Sequence, residues 1–196
     1  MGIEYSEPDR NNQNNYMLDT CACNHIVEST EKWNAAKKSV SYGFCYYSTA
    51  LQNMEFAGKG AKTYNKDCIS VSKFKVLPEF KEKIDMLYKE LNVKLVPEIA
   101  CAMRDHTRVD GTNRFFAPDS LGGQVHEEVV SQNKADSKRP YEHSYDAMIA
   151  EAAIYHGCVL VSDDGPLRKK VNLMCPGKVI TTDELVEIIN GYGFEG

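Results

Sequence analysis

Short apolar runs alternate with longer amphipathic stretches along this chain of 196 residues. A run of a few apolar residues between turn residues is typical of a buried strand, whereas apolar residues repeated every three or four positions indicate a helix. The runs predict strands at 16–18, 44–48, 93–96, 158–162 and 179–180. The stretches between them predict helices from 20 to about 31 and at 50–60, 78–92, 98–104, 121–132, 144–155 and 182–190.

Two of these stretches carry most of the information about packing. Residues 78–92 place apolar side chains on one face and lysines and acids on the other, as in a helix at the protein surface. Residues 144–155 are apolar on nearly all sides, which predicts a helix packed inside the protein and closed by Gly157. Thr181 and Glu184 have the spacing of a capping box at the start of the last helix.

The alternation of short strands with helices predicts the fold class. Strands that are apolar throughout are typical of a mostly parallel sheet covered on both faces, which is a three-layer α/β/α architecture. The length favours a single domain, which we place at 16–196. The polar residues 1–15 predict a flexible arm, and the polar, turn-rich residues 105–119 predict a loop.

Composition narrows the setting of the protein. The formal net charge is −5, which disfavours passive salt-driven binding to nucleic acid, although residues 59–94 hold nine lysines against five acids. No apolar run is long enough to span a membrane, and the first residues do not resemble a signal peptide, so we expect a cytoplasmic protein with no membrane partner. The seven cysteines are then expected to be reduced thiols. A zinc site at Cys21, Cys23 and His25 is disfavoured, because Cys23 points away from the others on a helix.

Acidic residues follow two of the predicted strands. Asp19 and Asp164 both lie at carboxyl ends, which meet at one edge of a parallel sheet. Asp146 falls in the first turn of the apolar helix, and Glu55 lies on the helix after the second strand. Each has an ordinary interpretation as well, since an Asp can cap a helix, Asp163 can serve the turn, and a lone Glu is usually solvated.

Three segments together resemble the PIN-domain family, whose VapC-like members are metal-dependent ribonucleases. They are "YMLDTCACNHIVE", "STALQNMEFAGKG" and "YDAMIAEAAIYHGCVLVSDDGPL". The first is similar to the family's strand that delivers an Asp followed by a small hydroxyl residue, here Asp19 and Thr20. The last is similar to its helix that begins with Asp, its apolar strand and its pattern of Ser or Thr, any residue, and Asp. In that frame Ser162 is the hydroxyl, Asp163 the variable residue and Asp164 the site residue.

The resemblance implies a PIN-like α/β/α fold and an Mg²⁺ or Mn²⁺ site formed by Asp19, Glu55, Asp146 and Asp164. Thr20, Ser162 and Asp163 would support that site. The segment at about 60–119 is longer than in the compact toxins of the family, and we interpret it as an insertion.

The chemistry explains why such a site contains only carboxylates. Mg²⁺ and Mn²⁺ prefer oxygen ligands, and one or two such ions can activate a water and stabilise the leaving oxygen of a phosphodiester. Asp19 and Asp164 would bind the main ion, Asp146 would also orient the attacking water, and Glu55 would complete the coordination. Ser162 would hold a carboxylate or a water in place. Four carboxylates in one pocket raise one another's pKa unless a cation neutralises them, which favours a metal site.

The predicted activity is therefore a divalent-metal-dependent endoribonuclease acting on single-stranded or structured RNA. Basic side chains would contact the RNA backbone, the candidates being Lys59, Lys62, Arg168 and Lys169. The resemblance also implies a toxin of a toxin–antitoxin pair as one role, with an antitoxin protein and a second copy of the chain as partners. A structure-specific DNA nuclease and a catalytically inactive PIN-like scaffold that binds RNA or protein are the alternatives. An acyl-phosphate site on Asp19 is disfavoured, because Cys21 stands where that chemistry usually has a second Asp.

Overall fold

The computed structural model describes residues 5–56, 62–65, 68–71, 78–97, 121–130 and 144–192. The strands are β1 (Asn15–Leu18), β2 (Cys45–Ser48), β3 (Lys62–Asn65), β4 (Cys68–Val71), β5 (Lys94–Leu95), β6 (Val159–Val161) and β7 (Val179–Ile180). The helices are α1 (Thr20–Glu28), α2 (Thr30–Ser39), α3 (Ala50–Phe56), α4 (Pro78–Glu90), α5 (Leu121–Val130), α6 (Ser144–Tyr155), α7 (Gly165–Met174) and α8 (Thr182–Tyr192). A 3₁₀ turn, Val40–Tyr42, follows α2.

Five strands form the main sheet in the order β5-β2-β1-β6-β7, and every neighbouring pair in it is parallel. The central strand β1 is fully buried, with Met17 opposite Tyr47 of β2 and Leu160 of β6. Since parallel strands are buried on both faces, their side chains are apolar throughout rather than alternating with polar ones. The predicted three-layer α/β/α fold with a mostly parallel sheet is confirmed.

Two hydrophobic clusters pack on opposite faces of this sheet. Successive side chains of β1 point to opposite faces, so Met17 enters one cluster while Tyr16 and Leu18 enter the other. The Met17 cluster includes side chains of α3, α5, α6 and α7, and the Leu18 cluster includes side chains of α1, α2, α4 and α8. Helix α6 is buried on most sides, as its composition predicted, and Gly157 beyond its end has a φ of 72°.

The predicted helix from 20 to about 31 is wrong in its extent, because α1 ends at Glu28 and a second helix, α2, begins at Thr30. Ser29 has an extended backbone with a φ of −120°, and its side chain accepts a hydrogen bond from the backbone N–H of Lys32 at 3.3 Å. It therefore caps α2, which the sequence pattern did not predict. The antiparallel hairpin of β3 and β4 was not predicted either. The helix predicted at 98–104 and the loop predicted at 105–119 lie outside the described residues.

The polar segment predicted as an arm at 1–15 is described from residue 5 onward. The backbone N–H of Ser6 donates to the carbonyl of Leu95 on the edge strand β5 at 2.8 Å. The Asn15 side chain donates to the backbone carbonyl of Asp9 at 2.7 Å. The first bond attaches the segment to the edge strand, where backbone groups otherwise lack partners, and the second attaches it to the start of the central strand β1. Within the described ranges, no helix is long and apolar enough to cross a membrane.

Candidate functional site

The ends of two adjacent parallel strands bring polar residues together. The backbone N–H of Asp19, just after β1, donates to the carbonyl of Val161, the last residue of β6, at 2.9 Å. Asp19 caps α1, and Asp164 caps α7. The carboxyl ends of these strands therefore lie side by side, and each strand leads into its helix through an Asp.

Asp19 is buried, with 4 % of its surface exposed, and both of its carboxylate oxygens accept hydrogen bonds. Oδ1 accepts from the backbone N–H of Thr20 at 2.7 Å. Oδ2 accepts from the Ser162 hydroxyl at 2.8 Å and from the Cys21 thiol at 3.0 Å. Burial raises the pKa of Asp19, the bonds from Cys21 and Ser162 lower it, and the charge of Asp164 raises it. The net direction is upward, so the site is electrostatically unfavourable for this carboxylate.

Glu55 is linked to Asp19 through Thr20, the residue that follows Asp19 in the chain. The Thr20 hydroxyl donates to Glu55 Oε2, which brings the half-buried Glu55 of α3 against the start of α1. The pKa of Glu55 is raised to about 7, first by burial and then by the charges of Asp19 and Asp146, against the lowering effect of the Thr20 hydroxyl. Asp19 and Asp146, two further predicted site residues, are therefore close enough to Glu55 for their charges to raise its pKa.

The adjacent acids after β6 have different surroundings. Asp164 is exposed, and its Oδ1 accepts from the backbone N–H of Leu167 at 2.8 Å, as an N-cap does. Asp163 turns to other elements: Oδ2 contacts His25 Nδ1 at 2.6 Å and accepts from the Thr182 hydroxyl at 2.8 Å. Asp163 thus connects α1 and α8 to the end of β6, while Asp164 stays beside Asp19.

Cys21 is a site residue that the sequence analysis missed. Its thiol donates to Asp19 Oδ2 and lies 3.4 Å from the Ser162 hydroxyl, and its Sγ accepts from the backbone N–H of Asp163 at 3.3 Å. Burial, together with the charge of Asp19, raises the pKa of Cys21 to about 12, so it is a neutral thiol. The sequence held no signal for this contact, because a free Cys in a helix usually serves as a small hydrophobic residue of the core.

The donor set fits a hard divalent cation by its chemistry. Asp19 is a buried carboxylate and Glu55 a half-buried one, and within the described part of the chain neither is in a salt bridge with a Lys, Arg or His. Buried carboxylates are normally paired or coordinate a metal. Two carboxylates alone do not form a complete coordination site, however. Among the described residues, no group of three or more His, Cys, Asp or Glu side chains is placed to hold an ion.

The predicted RNA-contacting residues are only partly described. Lys59 lies outside the described residues, and Lys62 opens β3. Arg168 is half-buried and Lys169 exposed on α7, one turn beyond Asp164. The neighbouring Lys170 is turned the other way, because its ammonium donates to the backbone carbonyls of α5 at Glu128 and Val129.

Comparisons with protein-family models, with curated proteins and with solved structures found no match to this chain. The resemblance to the PIN-domain family therefore rests on the three sequence segments quoted above.

Proposed function

We propose that this protein is a divalent-metal-dependent endoribonuclease of PIN type. The observation that carries the proposal is a pair of carboxylates, the buried Asp19 and the half-buried Glu55, linked through Thr20 beside the ends of two parallel strands. Asp146 is near enough to Glu55, and Asp164 is near enough to Asp19, for its charge to raise the pKa of that neighbour. A cation is the natural counterpart of such a cluster.

The residues of the chain divide the work in this proposal. Bound Mg²⁺ or Mn²⁺ would supply an activated water and neutralise the charge that grows on the leaving oxygen. Asp19, Glu55, Asp146 and Asp164 would hold the ion. Asp146, in the first turn of α6, would also orient the attacking water. Ser162 and Thr20 keep the carboxylates of Asp19 and Glu55 in fixed orientations, so these two ligands need little reordering on binding.

A complete site would require the carboxylates to come closer together than the described side chains lie, because among those residues no group of three is placed to hold an ion. Asp164 is exposed, so its side chain could rotate toward an ion at the expense of its N-cap bond to Leu167. Asp19 is buried and accepts hydrogen bonds on both oxygens, so it would be the most firmly held of the four ligands.

The proposed substrate is single-stranded or structured RNA, with Arg168 and Lys169 as backbone contacts near Asp164. We place the protein in the cytoplasm, because its five described free cysteines, two of which are only half-buried, suit a reducing compartment. An antitoxin protein and a homodimer are the further proposed partners.

Cleavage of labelled single-stranded RNA in Mn²⁺, Mg²⁺ or EDTA tests the proposal. We expect the wild type to cleave only with an ion, and Asp19→Asn and Asp146→Asn to lose activity. Mutation of residues that support metal ligands typically lowers metal affinity or activity 10–100-fold. Loss of a ligand itself should therefore lower the cleavage rate at least about 100-fold. Asp85→Asn is the matched control, since Asp85 is an exposed acid paired with Lys81 on α4.

Activity that survives in Asp19→Asn and Asp146→Asn would contradict this site. Cleavage of DNA but not RNA would favour the structure-specific DNA nuclease instead. The second candidate function is a catalytically inactive scaffold that binds RNA or protein. It is favoured by the lack of any described group of three side chains placed to hold an ion. RNA binding without cleavage in any ion would support the scaffold.

A further inference from the structure

Gln52 is a completely buried polar residue in the first turn of α3. Its side-chain Nε2 donates to the backbone carbonyl of Leu18 at 3.0 Å. Its Oε1 accepts from the backbone N–H of Thr49 at 2.7 Å and also from the Thr49 hydroxyl. Each of these three hydrogen bonds is therefore made either to the start of its own helix or to the end of β1.

The chemistry of these partners fixes the orientation of the amide. A backbone carbonyl can only accept and a backbone N–H can only donate, so the NH₂ group must face Leu18 and the oxygen must face Thr49. The contact with Thr49 is the back-bond of a capping box, in which Glu and Gln serve equally well. Only Gln has a donor left for Leu18. The bond to β1 thus accounts for an amide rather than a carboxylate at this position.

The bonds from α3 fall on both sides of Asp19. Leu18 accepts from Gln52, and Thr20 donates to Glu55. Gln52 and Glu55 are three residues apart, so they lie on one face of the helix, one turn from each other. Helix α3 is therefore attached immediately before and immediately after the buried aspartate.

We propose that Gln52 is a positioning residue for the acidic site, which fixes α3 against the end of β1 and thereby holds Glu55 beside Asp19. This inference rests on the proposed metal-dependent function, because it assigns Gln52 a role in assembling that site. Gln52 itself contacts neither the carboxylate of Asp19 nor that of Glu55, so it acts through the placement of the helix.

Gln52→Met removes all three hydrogen bonds of the amide while nearly keeping the volume of the side chain, and Gln52→Asn keeps the amide but is too short to span both partners. Thr49→Ala is the matched control, since it removes the cap hydroxyl and leaves the bond between Gln52 and Leu18. Binding of Mn²⁺ alone is measured by electron paramagnetic resonance of the free ion. Thermal unfolding is followed by circular dichroism, and hydrogen exchange is followed in a peptide covering α3.

We expect both Gln52 variants to weaken Mn²⁺ binding at least about tenfold, in line with the 10–100-fold cost of losing a contact that supports a metal ligand. Exchange in α3 should rise while exchange in β6 stays unchanged. Thr49→Ala should lose thermal stability but bind Mn²⁺ within about twofold of the wild type, because a cap acts on the helix and not on its link to β1. The KM for RNA should be unchanged in all three variants.

Wild-type Mn²⁺ affinity in both Gln52 variants would overturn the positioning role, as would equal weakening in Thr49→Ala. If Gln52→Met does not fold, Gln52→Asn decides by the same criteria. If the wild type neither binds Mn²⁺ nor cleaves RNA, the proposed function fails. Hydrogen exchange in the α3 peptide then tests by itself whether Gln52 positions the helix. Faster exchange of α3 in the Gln52 variants but not in Thr49→Ala would keep its link to β1 as the positioning contact, whereas unchanged exchange would overturn that as well.

Discussion

The ends of β1 and β6 lie side by side, yet they treat their aspartates in different ways. After β1, Asp19 is buried and accepts bonds on both oxygens from residues of the site. After β6, Asp163 bonds to α1 and α8, whereas Asp164 is exposed and caps α7. Two identical neighbouring residues thus have separate tasks, which depend on the donors that each side chain can reach.

The direction of the pKa shift follows the same division. Burial by itself raises the pKa of Asp163, but the backbone N–H and hydroxyl of Thr182 and the ring of His25 outweigh it, so the net shift is downward. For Asp19 burial outweighs the bonds from Cys21 and Ser162, and the net shift is upward. A lowered pKa marks a carboxylate that stabilises the fold, and a raised one marks a carboxylate that the fold holds at a cost.

The largest expected effect comes from replacing Asp163 and Asp164 one at a time by Asn. Asp164→Asn should reduce RNA cleavage at least about 100-fold, as for a lost metal ligand, yet keep the fold stable, because Asn caps a helix as well as Asp. Asp163→Asn should keep activity but lower the free energy of unfolding by about 1–2 kcal/mol, since it weakens charged hydrogen bonds. Cleavage assays and urea unfolding near pH 7 measure both.

The pH dependence gives a control for this pair. Because the pKa of Asp163 is lowered in the folded protein, its stabilising contribution is present above the ordinary Asp pKa and is lost as the pH falls. The stability difference between wild type and Asp163→Asn should therefore shrink in acid. If Asp163→Asn abolishes cleavage while Asp164→Asn does not, the division between the two residues is wrong.

Ser162→Ala should have an intermediate effect, because Ser162 belongs to both strand ends. Its hydroxyl donates to Asp19 Oδ2 and accepts from the backbone N–H of Asp164 at 3.2 Å. Its loss should lower the free energy of unfolding by about 1–2 kcal/mol and cleavage by about 10–100-fold. Ser162→Thr keeps the hydroxyl and serves as the matched control. Equal activity in Ser162→Ala and the wild type would show that the Asp19 carboxylate needs no support from β6.

The smallest expected effect concerns the metal-free protein. The pKa of Glu55 is raised from 4.5 to about 7, so between these values the folded protein holds a proton that the unfolded chain has released. The free energy of unfolding should therefore fall as the pH rises from 5 to 7.5, by about 1–2 kcal/mol after allowance for partial exposure. Urea unfolding in EDTA measures the slope. Glu55→Gln should flatten it, and an unchanged slope in that variant would argue against a strained carboxylate at this position.

The sequence predicted what depends on local pattern. The five strands of the main sheet, helix α6 and the capping box at Thr181 and Glu184 follow from apolar runs and short-range spacing. In the structure, the backbone N–H of Thr181 donates to the Glu184 carboxylate at 2.7 Å, as a capping box requires. The same pattern brought Asp19 and Asp164 to one edge, since parallel strands end together. Their surroundings could not be predicted in this way.

Residues whose role depends on distant partners were not predicted. The Cys21 thiol and the Gln52 amide are ordinary helix residues by composition, and their partners are fixed only by how β1, β6 and α3 meet. The break at Ser29 was missed for a different reason. Residues 28–32 are all polar, so no apolar residue close to Ser29 marks where α1 ends and α2 begins.

The contact between Cys21 and Ser162 joins residues that are 141 positions apart. Closing so long a loop costs entropy that is recovered only when the intervening chain has packed, so we expect the two strand ends to meet late in folding. During synthesis the first strand leaves the ribosome long before the fourth strand of the main sheet exists. A nascent chain that has emerged only as far as α6 carries Asp19, Glu55 and Asp146 but not Asp164. Under the function that we propose, the set of four carboxylates would therefore be complete only after Asp164 has emerged, late in the synthesis of the chain.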